Sequence, residues 1–153
     1  MTKPVIELIF DFASPNGYLM HRPLEALAKK HGTSVKIVPA LLGGIMKTTG
    51  NQPPFVAFSN VKGKLEYERL EMQRHIEKFG FKDFKINPHF PINTLRLMRG
   101  LVGAQHLGIG RPYIDAVQKA MWSDGLKMDD ESVISGALTA AGLDAAAIAA
   151  KVQ

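Results

Sequence analysis

Val5-Ile6-Glu7-Leu8-Ile9-Phe10-Asp11-Phe12-Ala13-Ser14-Pro15 passes from strand to helix within a few residues. The first eight are mostly apolar and β-branched or aromatic, the pattern of a buried strand. Ser14 is a favoured N-cap and Pro15 a favoured first helical residue, so the pair marks a helix start. Leu19, Pro23, Leu24, Leu27 and Ala28 then recur at helical spacing, and Gly32 closes the helix. Pro23 falls in the second or third turn, where its missing N–H predicts a kink. Ser34 to Pro39 alternates polar and apolar residues, which reads as a second strand. Strand, helix and strand with short loops make a βαβ unit, with parallel strands and a right-handed crossover.

Outward from this unit the pattern changes. Residues 41–54 are rich in Gly, Thr and Pro and read as a loop. Leu65, Leu70, Met72 and Ile76 form an apolar stripe in one long helical stretch from Phe55 to Phe79. Asn87-Pro88-His89-Phe90-Pro91 reads as a rigid extended connector. Further helices are expected at about 92–107, 112–124, 130–141 and 144–152, with Asp129 or Asp130 as an N-cap and Gly142 as a C-cap. The fold class is therefore α/β, organised as residues 1–42 (βαβ) and 43–153 (loop and helical insertion) within one compact unit. Two parallel strands are too small a sheet to stand alone, so the pattern implies strands that these residues do not contain.

Composition narrows the chemistry. The chain has 153 residues, 46% hydrophobic and 22% charged, a globular balance for one domain. It has no cysteine, which excludes a disulfide, a dithiol couple, a thiolate nucleophile and a Cys-ligated metal. Any sulfur chemistry must use a borrowed thiol. The net charge is +5, but between Lys62 and Lys85 the basic residues alternate with acidic ones, the pattern of a solvated helix face. That argues against nucleic acid as a partner. No apolar run is long enough for a membrane span, and no signal peptide precedes the first strand, so a cytoplasmic location is expected.

Ser14 is the first candidate for chemistry. Free N–H groups and the positive end of a helix dipole stabilise an anion there, and a hydroxyl can donate to a thiolate. The same residue is equally accounted for as an N-cap alone. Elsewhere, residues 44–50 lack the Gly-Lys-Ser/Thr end of a P-loop, and Gly108-Ile109-Gly110 lacks a preceding strand and a third glycine. The five histidines show no metal-ligand spacing, and Ser14 has no evident His-Asp partner.

Phe10-Asp11-Phe12-Ala13-Ser14-Pro15-Asn16-Gly17-Tyr18-Leu19 resembles the F-D-x-x-S-P-x-x-[YW]-L signature of the 2-hydroxychromene-2-carboxylate isomerases and kappa-class glutathione transferases. Gly43 to Pro54 resembles the G-I-M-K-x-x-G-N-x-P-P segment of the same group. Val61 to Tyr67 with Gln73-Arg74, the connector from Pro88 to Arg99, and Met121-Trp122-Ser123-Asp124-Gly125 resemble further blocks in order along the chain. The resemblance implies a thioredoxin-like fold of the DsbA type, with Ser14 where disulfide oxidoreductases carry the first cysteine of C-x-x-C. It implies glutathione as cofactor, Ser14 holding and activating its sulfur, and Asn51 and Lys62 binding its glycine end or backbone. Lys47 and Tyr18 are implied to line the site. It further implies a small aromatic substrate and a homodimer.

Members of the group continue with two more strands and a helix, the segment that holds a Val-Pro bond and a Gly-x-Asp-Arg motif. The resemblance thus implies that the C-terminal ββα of the fold is missing from this chain. A shortened enzyme, a pseudo-enzyme fragment and a sheet completed by a second chain each satisfy this; the first is favoured, because a bare βαβ edge is a liability in solution. Asn16-Gly17 replaces a bulkier pair common in relatives. The expected function is a glutathione-dependent cis/trans isomerase of 2-hydroxychromene-2-carboxylate-like acids. The alternatives are a kappa-like transferase or peroxidase, and a non-enzymatic binding module.

Overall fold

The computed structural model describes residues 4–152. β1 (Val5–Phe10) and β2 (Ser34–Pro39) pair in parallel from Val5 opposite Ser34 to Phe10 opposite Pro39. α1 (Pro15–Lys30) joins them, giving the βαβ unit that the sequence predicts. Ile6, Leu8 and Phe10 turn toward the interior, while Val5, Glu7 and Ile9 turn away. β1 is therefore buried on one face only: Ile9 is 72% exposed, because among the described residues no element covers that side of the sheet. On the open face Lys36 Nζ donates to Glu7 Oε1 at 2.8 Å.

The remaining elements are helices: α2 (Leu42–Thr48), α3 (Pro54–Ala57), α4 (Lys64–Phe79), α5 (Leu95–His106), α6 (Gly110–Trp122), α7 (Glu131–Ala140) and α8 (Ala145–Ala150). Two of them correct the sequence reading. The segment 41–54 contains a helix, although its three glycines, two threonines and two prolines read as loop. The long helix expected over 55–79 is two helices, because Gly63 takes φ +78° and starts α4 afresh. The last four helices fall where the periodicity places them. Asp130 caps α7 by accepting from the Ser132 and Val133 N–H groups, and Gly142 follows that helix at φ +76°.

α1 runs unbroken through Pro23. Proline has no N–H, so the Leu19 carbonyl loses its usual donor one turn on. His75 of α4 supplies the replacement: its Nε2 lies 3.1 Å from the Leu19 oxygen, and since a carbonyl only accepts, that nitrogen carries the proton. The same ring stacks on Phe81, 6.2 Å away at 10°. One side chain thus docks α4 and repairs the proline gap.

The core lies where α1, α5 and α6 meet the inner face of the sheet. Leu97, Leu101, Val117, Met121 and Trp122 are fully buried, in one cluster with Phe10 and Phe12. α5 and α6 approach closely at Gly100, where an added Cβ would overlap the Tyr113 hydroxyl; that hydroxyl donates to the Leu97 carbonyl at 3.0 Å. His21 and Gln118 are also buried, with no hydrogen-bond partner on either ring nitrogen or on the amide, among the described residues. His21 Nε2 lies 3.2 Å from Glu25 Oε1 but at an angle that makes no hydrogen bond. Arg111 closes the cluster by pairing with Glu25 and, at 2.9 Å, with Asp115. Burial, helped by the Arg111 charge, holds the His21 imidazole below its ordinary pKa.

Two outcomes follow from these contacts. His75→Ala leaves the Leu19 carbonyl without a donor and should cost about 1–3 kcal/mol in urea unfolding; a change under about 0.5 kcal/mol, the size of an ordinary surface substitution, would rule out the repair role. His21 binds its proton less readily in the folded than in the unfolded chain, so between its folded pKa and the unfolded value of about 6.5 the unfolded state holds more protons. Its contribution to stability is complete above about pH 6.5 and declines as the pH falls toward the folded value. His21→Leu should flatten that decline in urea midpoints taken across the range; parallel curves for the two proteins would contradict it.

Candidate functional site

The end of β1 delivers Ser14 to the start of α1 in an extended conformation, φ −94° and ψ 116°. The Ser14 side chain accepts from the Gly17 N–H at 3.2 Å, and its carbonyl accepts from Gly17 and Tyr18. Pro15 has no N–H to offer, and the Asn16 N–H has no partner among the described residues. The start of a 16-residue helix thus presents one free backbone donor beside a half-buried hydroxyl, in the field of the helix dipole. An anion placed there meets both. The turn is tight at Gly17, where a Cβ would sit 3.2 Å from the Asp11 carbonyl oxygen.

Asp11 organises the surroundings. It is 5% exposed. Its Oδ1 accepts from the Ala13 N–H at 2.8 Å and from the Thr94 hydroxyl at 2.7 Å, and its Oδ2 accepts from the Leu42 N–H at 2.6 Å. These donors belong to the Ser14 turn, the residue preceding α5, and the first residue of α2. Leu41, at the N-cap position of α2, offers no side-chain cap, so the Asp11 carboxylate caps that helix from the strand. This is why a helix forms in a segment that reads as loop. Asp11 has no role in the reading of the sequence, yet a signal is present there: a carboxylate between Phe10 and Phe12, where β1 ends in apolar surroundings, requires donors.

Asn51 and Lys47 follow from that capped helix. Lys47 lies in its last turn, exposed. Asn51 folds back on the helix end, its N–H donating to the Met46 carbonyl at 2.8 Å, and its side-chain oxygen accepts from the Gln52 N–H at 3.0 Å. Lys62 is exposed in the turn before α4. Neither lysine makes an ion pair among the described residues. No hydrogen bond joins Ser14 directly to Asn51, Lys47 or Lys62; what couples the Ser14 turn to α2 is Asp11.

Tyr18 stands apart from this group. It is 4% exposed, its ring 5.5 Å from both Phe81 and Phe84, with its hydroxyl 3.4 Å from the Ser123 Oγ. The structure therefore places Tyr18 in the core, on the inner side of α1, rather than on an open surface. An aromatic series does lead outward. Trp122 Nε1 donates to the Phe12 carbonyl at 3.2 Å, Phe90 lies 6.1 Å from Trp122, and Phe55, at 44% exposure, lies 5.8 Å from Phe90.

A Ser-Pro helix start at the end of the first strand of a βαβ unit, with a helical segment following, matches a known domain over almost the whole chain. The DSBA-like thioredoxin domain matches residues 5–153. The chain belongs to the DsbA-like thioredoxin family. Within that family it is 29% identical over 131 residues to a 2-hydroxychromene-2-carboxylate isomerase of Pseudomonas sp. (strain C18), a match that covers 84% of this chain and 58% of the relative. A second isomerase of that name, from Pseudomonas putida, is 28% identical, covering 84% of this chain and 61% of the relative. Glutathione S-transferase kappa 1 of Rattus norvegicus is 28% identical over 153 residues, covering 97% and 65%. A solved structure of a 2-hydroxychromene-2-carboxylate isomerase superposes with a TM-score of 0.76 at 24% identity, covering 97% of this chain and 71% of that one. The thioredoxin-like fold is thereby established. The chain spans 58% to 65% of the length of the three curated relatives.

Proposed function

We propose that this chain carries a glutathione-dependent isomerase site built on Ser14. One observation carries the reading: in a family member whose relatives include two 2-hydroxychromene-2-carboxylate isomerases and a kappa glutathione transferase, the helix start where a redox relative would hold a thiolate has a hydroxyl and a free N–H but no sulfur. The site suits a borrowed thiolate. Ser14 and the Asn16 N–H offer two donors to an anion, and the dipole of α1 adds to both. Each lowers the pKa of a thiol held there.

The surrounding residues fit a short anionic peptide. Lys47 and Lys62 are unpaired cations among the described residues, which suits a ligand with two carboxylates. Asn51 has both a donor and an acceptor for a peptide bond. α2, of 7 residues, is about 10 Å long, the reach of an extended tripeptide. Glutathione, when bound, supplies a thiolate nucleophile that adds to a conjugated carbon and departs after bond rotation. The chain's part is to hold that sulfur ionised at Ser14 and to bind the peptide through Asn51 and Lys62, with Lys47 adding positive field. Phe55, exposed, and Phe90, half-buried and backed by Trp122 from the core, offer apolar rings to an unsaturated aromatic acid. Tyr18 supports α1 from behind and takes no part in binding.

The rat relative covers nearly all of this chain, which favours a second reading, a kappa-like transferase acting on electrophiles from the same thiolate. Activity toward a hydroxychromene acid and toward a generic aromatic halide separates the two.

Ser14→Ala should lower turnover by about 10²-fold, the loss of a principal donor to a developing or held anion, while costing only about 1 kcal/mol of stability as a lost N-cap. Undiminished turnover would remove Ser14 from the reaction. Asn51→Ala and Lys62→Ala should raise KM for glutathione several-fold with little change in kcat, as expected for lost uniform binding; a fall in kcat at constant KM would contradict the assignment.

A further inference from the structure

The Ser14 turn and the α2 segment are separate in sequence and no hydrogen bond joins their functional side chains among the described residues, yet glutathione binding as read above needs both. The structure joins them through one buried group. Both oxygens of Asp11 accept backbone N–H bonds, one from Ala13 in the Ser14 turn and one from Leu42 at the start of α2. We propose that Asp11 is the positioning residue of the site: its carboxylate fixes the Ser14 turn against the first residue of α2, and so sets the gap that glutathione spans.

The inference rests on the glutathione reading and adds to it a residue that does not touch the ligand. Its physical basis is the chemistry of the acceptor. Each oxygen of a carboxylate accepts, whereas an asparagine offers one acceptor and one donor. An amide at position 11 would therefore turn an NH₂ group toward either the Leu42 N–H or the Ala13 N–H and Thr94 hydroxyl. There is little room to adjust, because the Asp11 carbonyl also receives the Ser14 N–H at 3.3 Å and would lie 3.2 Å from a Cβ added at Gly17. On the other side, α2 has no cap of its own to hold its start in place.

Three variants of the full chain separate positioning from general support. Asp11→Asn keeps size and removes one acceptor. Leu42→Pro removes the N–H that Asp11 grips and trades the half-buried leucine side chain for a proline ring; proline is accepted at the first helical position, and Leu41 already has the extended conformation that a following proline requires, φ −79° and ψ 97°. Thr94→Val removes the third bond to Asp11, on the side of α5, and leaves both N–H bonds in place. Glutathione affinity is read by calorimetry, the bound thiol's titration by its ultraviolet thiolate absorbance across pH, and folding by urea unfolding.

Asp11→Asn and Leu42→Pro should each weaken glutathione binding about tenfold, the loss expected for a hydrogen bond to a charged group, and raise the bound thiol's pKa toward its free value. Thr94→Val should lower the urea midpoint while leaving affinity within about twofold. If Asp11→Asn does not fold, Leu42→Pro decides alone. Wild-type affinity and thiol titration in Leu42→Pro, or in a folded Asp11→Asn, would overturn the proposal. So would a loss in Thr94→Val equal to that in the other two, since the effect would then follow stability. A wild-type chain that gives no heat with glutathione would overturn the glutathione reading itself and this inference with it; the two failures differ in whether the wild type binds.

Discussion

A single buried carboxylate, Asp11, holds together three segments that the chain brings in from different places. It receives the Ser14 turn, the first residue of α2 and the residue preceding α5, through bonds of 2.6 to 2.8 Å. Removing such a group from water is costly unless every acceptor is used, and here both oxygens are. The cost explains the arrangement: donors converge on Asp11 because β1 ends inside the core, flanked by Phe10 and Phe12. The placement of the Ser14 turn relative to α2 then follows from a stability requirement.

The helix that bears Ser14 depends on a second repair of the same kind. Pro23 strips a donor from the middle of α1, and His75 of α4 returns one to the Leu19 carbonyl. α1 stays a continuous helix in consequence, and its dipole acts at full length on the Ser14 end. Tyr18, one turn in from Ser14, locks the inner side of the helix against Phe81 and Phe84. The open face of β1, with Val5 and Ile9 exposed, carries none of these contacts.

The identity of the candidate site was more legible than its geometry. Phe10 to Leu19 displays the strand end, the N-cap and the first helical turn in one stretch, and the blocks around Asn51 and Lys62 carry the family resemblance. Tyr18 belongs to that same stretch, and the family resemblance implies that it lines the site, whereas its helical angle turns it inward. α2 was hidden because Gly43 and Gly44 weaken any local helix signal. The break before α4 was hidden for the opposite reason: the apolar stripe from Leu65 to Ile76 is strong, and the predicted helix extends from it back to Phe55 across Gly63, whose positive φ separates the two runs.

Sequence alone determined the βαβ unit, the Ser14-Pro15 helix start, the four C-terminal helices and the absence of any sulfur nucleophile of the chain's own. These rest on local periodicity, capping and composition, which act over a few residues. The tertiary structure decided that residues 42–48 are helical, that α1 survives Pro23, that Tyr18 is core, and that the Ser14 turn is tied to the segment leading to Asn51. Each of those depends on a hydrogen bond or packing contact from afar. Asp11 reaches Leu42 across 31 residues and Thr94 across 83, and His75 reaches Leu19 across 56. No local pattern encodes such partners; they exist only once burial has forced the polar groups to find one another.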